Sequence, residues 1–158
     1  MRLICEALQD GKPIPRRFTC DGENISPQFR WENPPAATKS FVLILHDPDA
    51  PKHDGFFHWM LYNIPPSVTE IRENVPNGAG RIDGLGIQGQ NDSGKLGYTG
   101  PCPPTGSHRY FARLYALRED LDLEPGATGK EVRAAMEGLE IEHAETMGTY
   151  SRSRAQTA

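Results

Sequence analysis

The pattern of apolar and polar positions predicts a chain built mainly from short β-strands. Four segments have the length and the aromatic or β-branched content of strands: residues 29–31, 41–45, 58–64 and 110–117. Residues 41–45 are continuously apolar and lie between proline-containing turns, which indicates a central strand covered on both faces. In residues 58–64, strict alternation places His58 and Met60 on one face and Trp59 and Leu61 on the other.

One short helix is predicted near the carboxyl end. Thr128 and Glu131 have the spacing of a capping box, and apolar side chains follow at helical intervals at Val132, Ala135, Met136 and Leu139. This one-sided pattern predicts a helix that packs on the outside of a sheet. The glycine-rich residues 74–97 contain few apolar side chains, and we interpret them as a long surface excursion rather than a second domain.

Composition supports a mainly β fold. The 158 residues include 14 prolines and 16 glycines without a repeat, which is typical of an antiparallel β-sandwich with many tight turns. This length predicts a single domain over residues 1–152, followed by a frayed tail at residues 153–158.

The charge distribution excludes some classes of partner. Lys and Arg number 17 against 21 Asp and Glu, giving a net charge of −4 without any basic run, which argues against a nucleic-acid partner. The amino-terminal residues show neither a signal-peptide core nor a spanning segment. We therefore expect a cytoplasmic protein without stable membrane insertion.

The cysteines predict no cross-link. Cys5, Cys20 and Cys102 are odd in number and lack the Cys-x-x-Cys spacing of a zinc or redox site, so free thiols are expected.

Three segments carry candidate chemistry. Two carboxylates flank a proline in the first segment, and a histidine opens a predicted strand in each of the other two: Asp47-Pro48-Asp49-Ala50-Pro51, His58-Trp59 and His108-Arg109-Tyr110. The last follows a loop rich in glycine and proline, which restricts its conformation and allows close backbone approach. Each segment alone is compatible with an ordinary turn or a structural histidine, but paired strands would bring both imidazoles to one rim.

Together these segments resemble the phosphatidylethanolamine-binding protein family, in particular its bacterial branch of Raf kinase inhibitor protein-like members. Further matching segments are Thr19-Cys20-Asp21-Gly22-Glu23-Asn24-Ile25-Ser26-Pro27, Asn63-Ile64-Pro65, Gly100-Pro101, Pro103-Pro104, Gly106-Ser107 and Gly148-Thr149-Tyr150-Ser151-Arg152. The resemblance implies an antiparallel β-sandwich with Greek-key connections and one or two short peripheral helices.

The resemblance also implies a pocket for phosphate-like anions. Its ligand-binding residues would be Asp47, His58, His108 and Tyr110, with Gly100 and Pro101 as one wall. Asp49 and Pro51 would support the pocket from behind, and Cys102 would stand at its rim. No cofactor and no metal are expected, because neighbours such as His46 and Asp47 should diverge and His53 belongs to a solvated loop.

The expected function is binding of a small anionic or phosphorylated ligand, with regulation of a protein kinase or other partner and a homodimer implied by the family. An ionised Asp47 would repel an anion, so its expected role is to hold and charge a histidine. The donors to the ligand would be His58 or His108 together with the Tyr110 hydroxyl. Binding should then strengthen as pH falls through the imidazole range, because protonation turns both ring nitrogens of a histidine into donors. The alternative is a hydrolase-like enzyme in which Asp47 and His58 act as an acid–base pair on a phosphorylated metabolite.

Overall fold

The computed structural model describes residues 1–152, which form nine β-strands, one α-helix and one 3-10 turn. The strands are β1 (Arg2–Ile4), β2 (Phe29–Glu32), β3 (Ser40–Asp47), β4 (Phe56–Ile64), β5 (Glu70–Ile71), β6 (Arg81–Ile82), β7 (Gly86–Gln88), β8 (His108–Leu117) and β9 (Glu140–Tyr150). The helix α1 spans Gly129–Met136, and the 3-10 turn spans Arg16–Phe18. The predicted frayed tail, residues 153–158, lies outside the described residues.

The strands form two antiparallel sheets, in the orders β1-β2-β5 and β6-β7-β4-β3-β8-β9. The β3–β4 hairpin belongs to the large sheet, whereas the strands before and after it, β2 and β5, pair with each other in the small sheet. The chain thus crosses between the sheets on both sides of this hairpin, as Greek-key connections do. The predicted mainly β, antiparallel fold is confirmed.

The main core lies between the two sheets. Phe29 of β2 contacts Trp59 of β4 with ring centroids 6.3 Å apart, and Trp31 contacts Phe41 at 5.3 Å. Leu114 of β8 is fully buried in the same cluster. Inward-facing aromatic rings from both sheets therefore fill the space between them, which is the packing expected of a sandwich.

A second apolar cluster covers the opposite face of the large sheet. Val42 and Ile44 of β3 pack there with Val132 and Met136 of α1. The predicted capping box is present, because the Thr128 hydroxyl accepts a hydrogen bond from the Glu131 amide while the Glu131 carboxylate accepts one from the Thr128 amide. Both faces of β3 are consequently buried, as its continuous apolar sequence predicted.

Two predictions about the fold are wrong in part. Residues 74–97 are not only a surface excursion, because β6 and β7 within them extend the large sheet beside β4. Strict alternation in β4 also fails, since Leu45 pairs with Trp59 and His46 pairs with Phe57. His58 is therefore the extra residue of a β-bulge, and this bulge reorients its side chain.

Candidate functional site

A cavity of about 380 Å³ lies at the edge of the large sheet where β3 ends and β4 and β8 begin. Because β3 is antiparallel to both neighbours, its last residue lies beside the first residues of the other two strands. The lining residues are Asp47, Ala50, Pro51, Lys52, Phe56, His58, Ser93, Thr99, Gly100, Cys102, Pro103, Pro104, His108 and Tyr110. The topology thus brings the three candidate segments to one place.

The bulge in β4 directs His58 toward this cavity. The ring of His58 contacts Tyr110 edge-on at 5.3 Å, whereas the next residue, Trp59, fills the core between the sheets. With strict alternation His58 and Trp59 would face opposite sides. The extra residue lets one strand supply both a core aromatic ring and a cavity imidazole.

Asp47 and His108 form a buried pair at the base of the site. One carboxylate oxygen of Asp47 accepts a hydrogen bond from the Asp49 amide at 2.8 Å, and the other contacts Nδ1 of His108 at 2.7 Å. An ionised carboxylate has no hydrogen to donate and can only accept hydrogen bonds. Nδ1 of His108 therefore carries the hydrogen in this contact, and Nε2 is left for other partners. Asp47 is 2 % exposed and His108 is 8 % exposed, which keeps this pair largely out of water.

His58 is held in a neutral form. Its Nδ1 donates to the Thr99 carbonyl at 2.7 Å, which leaves Nε2 as the acceptor of the neutral ring. Burial lowers the pKa of His58 to about 4, and the Thr99 carbonyl and Asp47 charge only partly oppose this shift. His58 is therefore uncharged between pH 5 and 8, so the predicted strengthening of binding as pH falls cannot come from this residue.

The hydroxyl of Tyr110 is a buried polar group without a hydrogen-bond partner of normal geometry. Within residues 1–152, the only other such side-chain atoms are Nε1 of Trp31 and Nδ1 of His46, and neither residue lines the cavity. Burial and then the nearby Asp47 charge raise the pKa of Tyr110, so the hydroxyl keeps its proton. It is a donor available to a ligand oxygen.

Asp49 lies outside the cavity lining and supports the site from behind. Its carboxylate accepts hydrogen bonds from the Arg109 amide at 2.8 Å, from Nε at 2.9 Å and from Nη2 at 2.8 Å. These bonds to Arg109 lower the pKa of Asp49 to about 2. This contact fixes the turn after β3 to the start of β8, directly beside His108.

The loop before β8 is fastened to residues 18–24. The Gly100 amide donates to Asn24 at 2.8 Å, and a Cβ on Gly100 would approach the Phe18 carbonyl oxygen to 2.4 Å. Pro101 is buried and its carbonyl accepts from the Cys20 amide at 3.1 Å. Of the two predicted wall residues, Gly100 lines the cavity, whereas Pro101 lies in the contact between this loop and residues 18–24.

A disulfide joins the same two loops. The sulfurs of Cys20 and Cys102 are bonded, with Cα atoms 5.5 Å apart and a sequence separation of 82, so the expected free thiols at these positions are wrong. Only the buried Cys5 is free. Local spacing could not reveal this pair, because two loops distant in sequence meet only in the folded sandwich. Disulfides are most common in oxidising compartments, but they also occur in intracellular proteins of hyperthermophiles. The disulfide therefore does not decide the location, and a cytoplasmic location stays a prediction.

Several cavity residues were not assigned to the pocket from the sequence, although Pro103 and Pro104 belong to a segment that carries the family resemblance. Phe56, Pro103 and Pro104 supply apolar walls, Lys52 a cation and Ser93 a hydroxyl. Lys52 directly follows the acidic motif, and Phe56 precedes His58 by two residues, so proximity to those motifs was the available signal. An apolar cavity with a few convergent polar groups is the usual form of a small-ligand site.

Neither a metal site nor a membrane span emerges from the described residues. Residues 1–152 contain no group of three or more His, Cys, Asp or Glu side chains placed to hold a metal ion. No helix in that part of the chain has the length and apolar character needed to cross a bilayer.

A β-sandwich with a small cavity at one sheet edge, lined by a carboxylate, two imidazoles and a phenol, defines a class of ligand-binding proteins. The Phosphatidylethanolamine-binding protein family model matches residues 5–151. The chain therefore belongs to the phosphatidylethanolamine-binding protein family.

Relatives and solved structures agree with this family. A UPF0098 protein of Methanothermobacter thermautotrophicus is 53% identical over 96% of this chain and 99% of its own length. Two crystal structures cover 96% of this chain: a putative phosphatidylethanolamine-binding protein homolog, CT736, from Chlamydia trachomatis, and YbcL from E. coli. Their TM-scores are 0.86 and 0.84, their sequence identities are 39% and 31%, and 97% and 98% of their own chains are covered.

Proposed function

We propose that this protein binds a small anionic ligand, such as phosphate or a phosphorylated head group, in the cavity between Asp47, His58, His108 and Tyr110. The observation that carries the proposal is the Tyr110 hydroxyl, which is buried beside the Asp47–His108 pair and makes no hydrogen bond of normal geometry within the protein, although the Asp47 carboxylate and the Cys102 backbone lie close to it. A buried hydroxyl without a hydrogen bond costs about 1–3 kcal/mol, and a ligand oxygen would remove that cost.

The pairing of Asp47 with His108 supports this assignment. An anion about 4 Å from an isolated carboxylate would be repelled by roughly 4 kcal/mol at an effective dielectric constant of 20. Because Nδ1 of His108 is turned toward Asp47, protonation at Nε2 makes that atom a donor and balances the carboxylate charge. His108 and Tyr110 are thus the proposed hydrogen-bond donors to the ligand. His58 contributes an uncharged ring to the cavity wall, and its Nε2 can accept a hydrogen bond.

Binding is favoured over the hydrolase-like alternative. A general base works best when its pKa lies near the working pH, whereas burial lowers that of His58 to about 4. Asp47 is occupied at both oxygens by the Asp49 amide and His108. The proposed acid–base pair of the enzyme therefore lacks a strong base at neutral pH.

Titration calorimetry with inorganic phosphate and with O-phosphorylethanolamine tests the proposal. His108→Asn is the informative variant, because its side-chain amide can still donate to Asp47 but has no counterpart of Nε2. We expect wild-type binding and at least about tenfold weaker binding in the variant, the size of a lost charge-assisted hydrogen bond. His143→Asn, at an exposed position on β9, is the matched control and should bind like wild type.

Two outcomes would reject anion binding in this cavity. The first is absence of heat with either ligand at pH 5.5 and at pH 7. The second is equal affinity of wild type and His108→Asn, which would place the anion elsewhere. Turnover of a phosphate ester that depends on His58 would instead establish the enzyme.

Regulation of a protein kinase or another partner, and a homodimer, stay predictions from the family resemblance. Within the described part of the chain no large apolar side chain is exposed. Light scattering coupled to size-exclusion chromatography would determine whether the chain is a dimer.

A further inference from the structure

The charges around the cavity are unevenly distributed. Asp47 brings a buried negative charge, His58 is neutral, and His108 is positive only when it is protonated. Among the lining residues in the described chain, Lys52 alone carries a permanent positive charge. Arg109, the nearest arginine in sequence to the cavity histidine His108, is engaged by Asp49 outside the lining.

Lys52 is placed so that it can turn to a ligand. Its ammonium lies 3.5 Å from a carboxylate oxygen of Asp92 and 5.5 Å from the centre of the Phe56 ring. The same Asp92 oxygen already accepts a 2.8 Å hydrogen bond from the Phe57 amide. The lysine side chain is about half exposed, and exposed ion pairs of this length contribute little stability. Exchanging Asp92 for a ligand anion therefore costs little.

We propose that Lys52 is the counter-charge that selects anionic ligands for this cavity. In this arrangement the ligand's oxygens accept hydrogen bonds from His108 and Tyr110 at the base, while the Lys52 ammonium approaches from the rim. Phe56 keeps the lysine stem against the cavity wall through its ring face. The inference rests on the proposed anion binding and assigns its charge selectivity to a residue outside the recognised motifs.

Asp92 has a defined part in the same arrangement. Its carboxylate holds the ammonium at the rim, and an anion in the cavity would compete with that carboxylate for the lysine. Replacing Asp92 by asparagine removes the competing charge but keeps an oxygen that can accept the Phe57 amide hydrogen. Phosphate affinity should therefore rise in Asp92→Asn and fall in Lys52→Met.

The test measures phosphate affinity by calorimetry at low and high ionic strength. Lys52→Met removes the charge but keeps most of the aliphatic stem, whereas Lys52→Arg keeps the charge. Lys39→Met is the control: it lowers the net charge by the same amount, but Lys39 precedes the first residue of β3, at the end of the strand away from the cavity. We expect Lys52→Met to bind about five- to tenfold more weakly with less salt dependence. Lys52→Arg should keep most of the affinity, and Lys39→Met should bind like wild type. Asp92→Asn should bind two- to fivefold more tightly, the change in affinity expected from removing one exposed competing ion pair.

The outcomes separate this inference from the proposed function. If wild type binds phosphate and Lys52→Met binds equally well, or no more weakly than Lys39→Met, the role of Lys52 is refuted while the anion cavity stands. If wild type binds no phosphate, both proposals fail. Lys52 is half exposed, so thermal unfolding should be the same in all lysine variants, and a lowered midpoint with unchanged affinity would also refute a ligand role.

Discussion

Replacing Cys20 and Cys102 together by serine should strongly lower the free energy of unfolding. The disulfide closes a loop of 82 residues that spans β2 through β7. In the chain-entropy model, a cross-link around a loop of this length stabilises the folded state by about 4.5 kcal/mol, because it restricts the unfolded chain. Measured values generally fall below this limit, so we expect a loss of about 2–4.5 kcal/mol.

Urea unfolding of the oxidised wild type and the double variant measures this loss. Each single variant should lose nearly the same amount, since either serine removes the whole cross-link. Ser107→Ala, an exposed change in the same loop, is the matched control and should stay within about 0.5 kcal/mol of wild type.

Counting thiols tests the cross-link independently. Denatured, unreduced protein should expose one reactive thiol per chain, and reduced protein should expose three. The native protein should show almost none, because Cys5 is buried and burial raises its pKa to about 11. Three thiols without reduction, or a double variant as stable as oxidised wild type, would refute the reasoning.

Two further predictions concern the cavity residues. Because the folded-state pKa of His58, about 4, lies below the ordinary histidine pKa of 6.5, the unfolded chain binds more protons between these two pH values. The free energy of unfolding should fall as pH drops from 6.5 toward 4, by about 3 kcal/mol in total, and His58→Gln should remove this component in parallel urea titrations. An identical pH slope in both proteins would contradict the neutral histidine. Tyr110→Phe should leave stability unchanged or raise it by about 1 kcal/mol, since it removes an unpaired buried hydroxyl, while phosphate affinity falls about tenfold. A loss of more than 1 kcal/mol in thermal or urea unfolding would assign the hydroxyl a structural role.

Regular periodicity made much of the fold predictable. The apolar sequence of β3 reflects burial on both faces, and the capping box at Thr128 is a local pattern that the structure reproduces. The edge strand β9 was missed because its half-exposed, charged residues lack a strong strand signal, and its pairing with β8 provides its stability. Short β6 and β7 were missed because glycine dominates their surroundings.

The candidate site was predictable in part. The motifs around Asp47, His58 and His108 line one cavity with Tyr110, and the resemblance named all four. The contact of the Pro101 carbonyl with the Cys20 amide and the position of Lys52 in the cavity lining were not anticipated, because neither backbone direction nor rim contacts can be read from residue types. The ligand role of these residues stays a proposal.

The sequence by itself determined the strands with strong apolar patterns, the helix start and the family to which the chain belongs. Only the tertiary structure decided which protons and charges the site holds. The orientation of His58 depends on one extra residue in the register of a sheet. The contact of His108 with Asp47 and the disulfide between Cys20 and Cys102 join residues that are distant in sequence. Local propensity acts over a few residues, whereas burial, pKa and cross-linking depend on which distant segments come into contact.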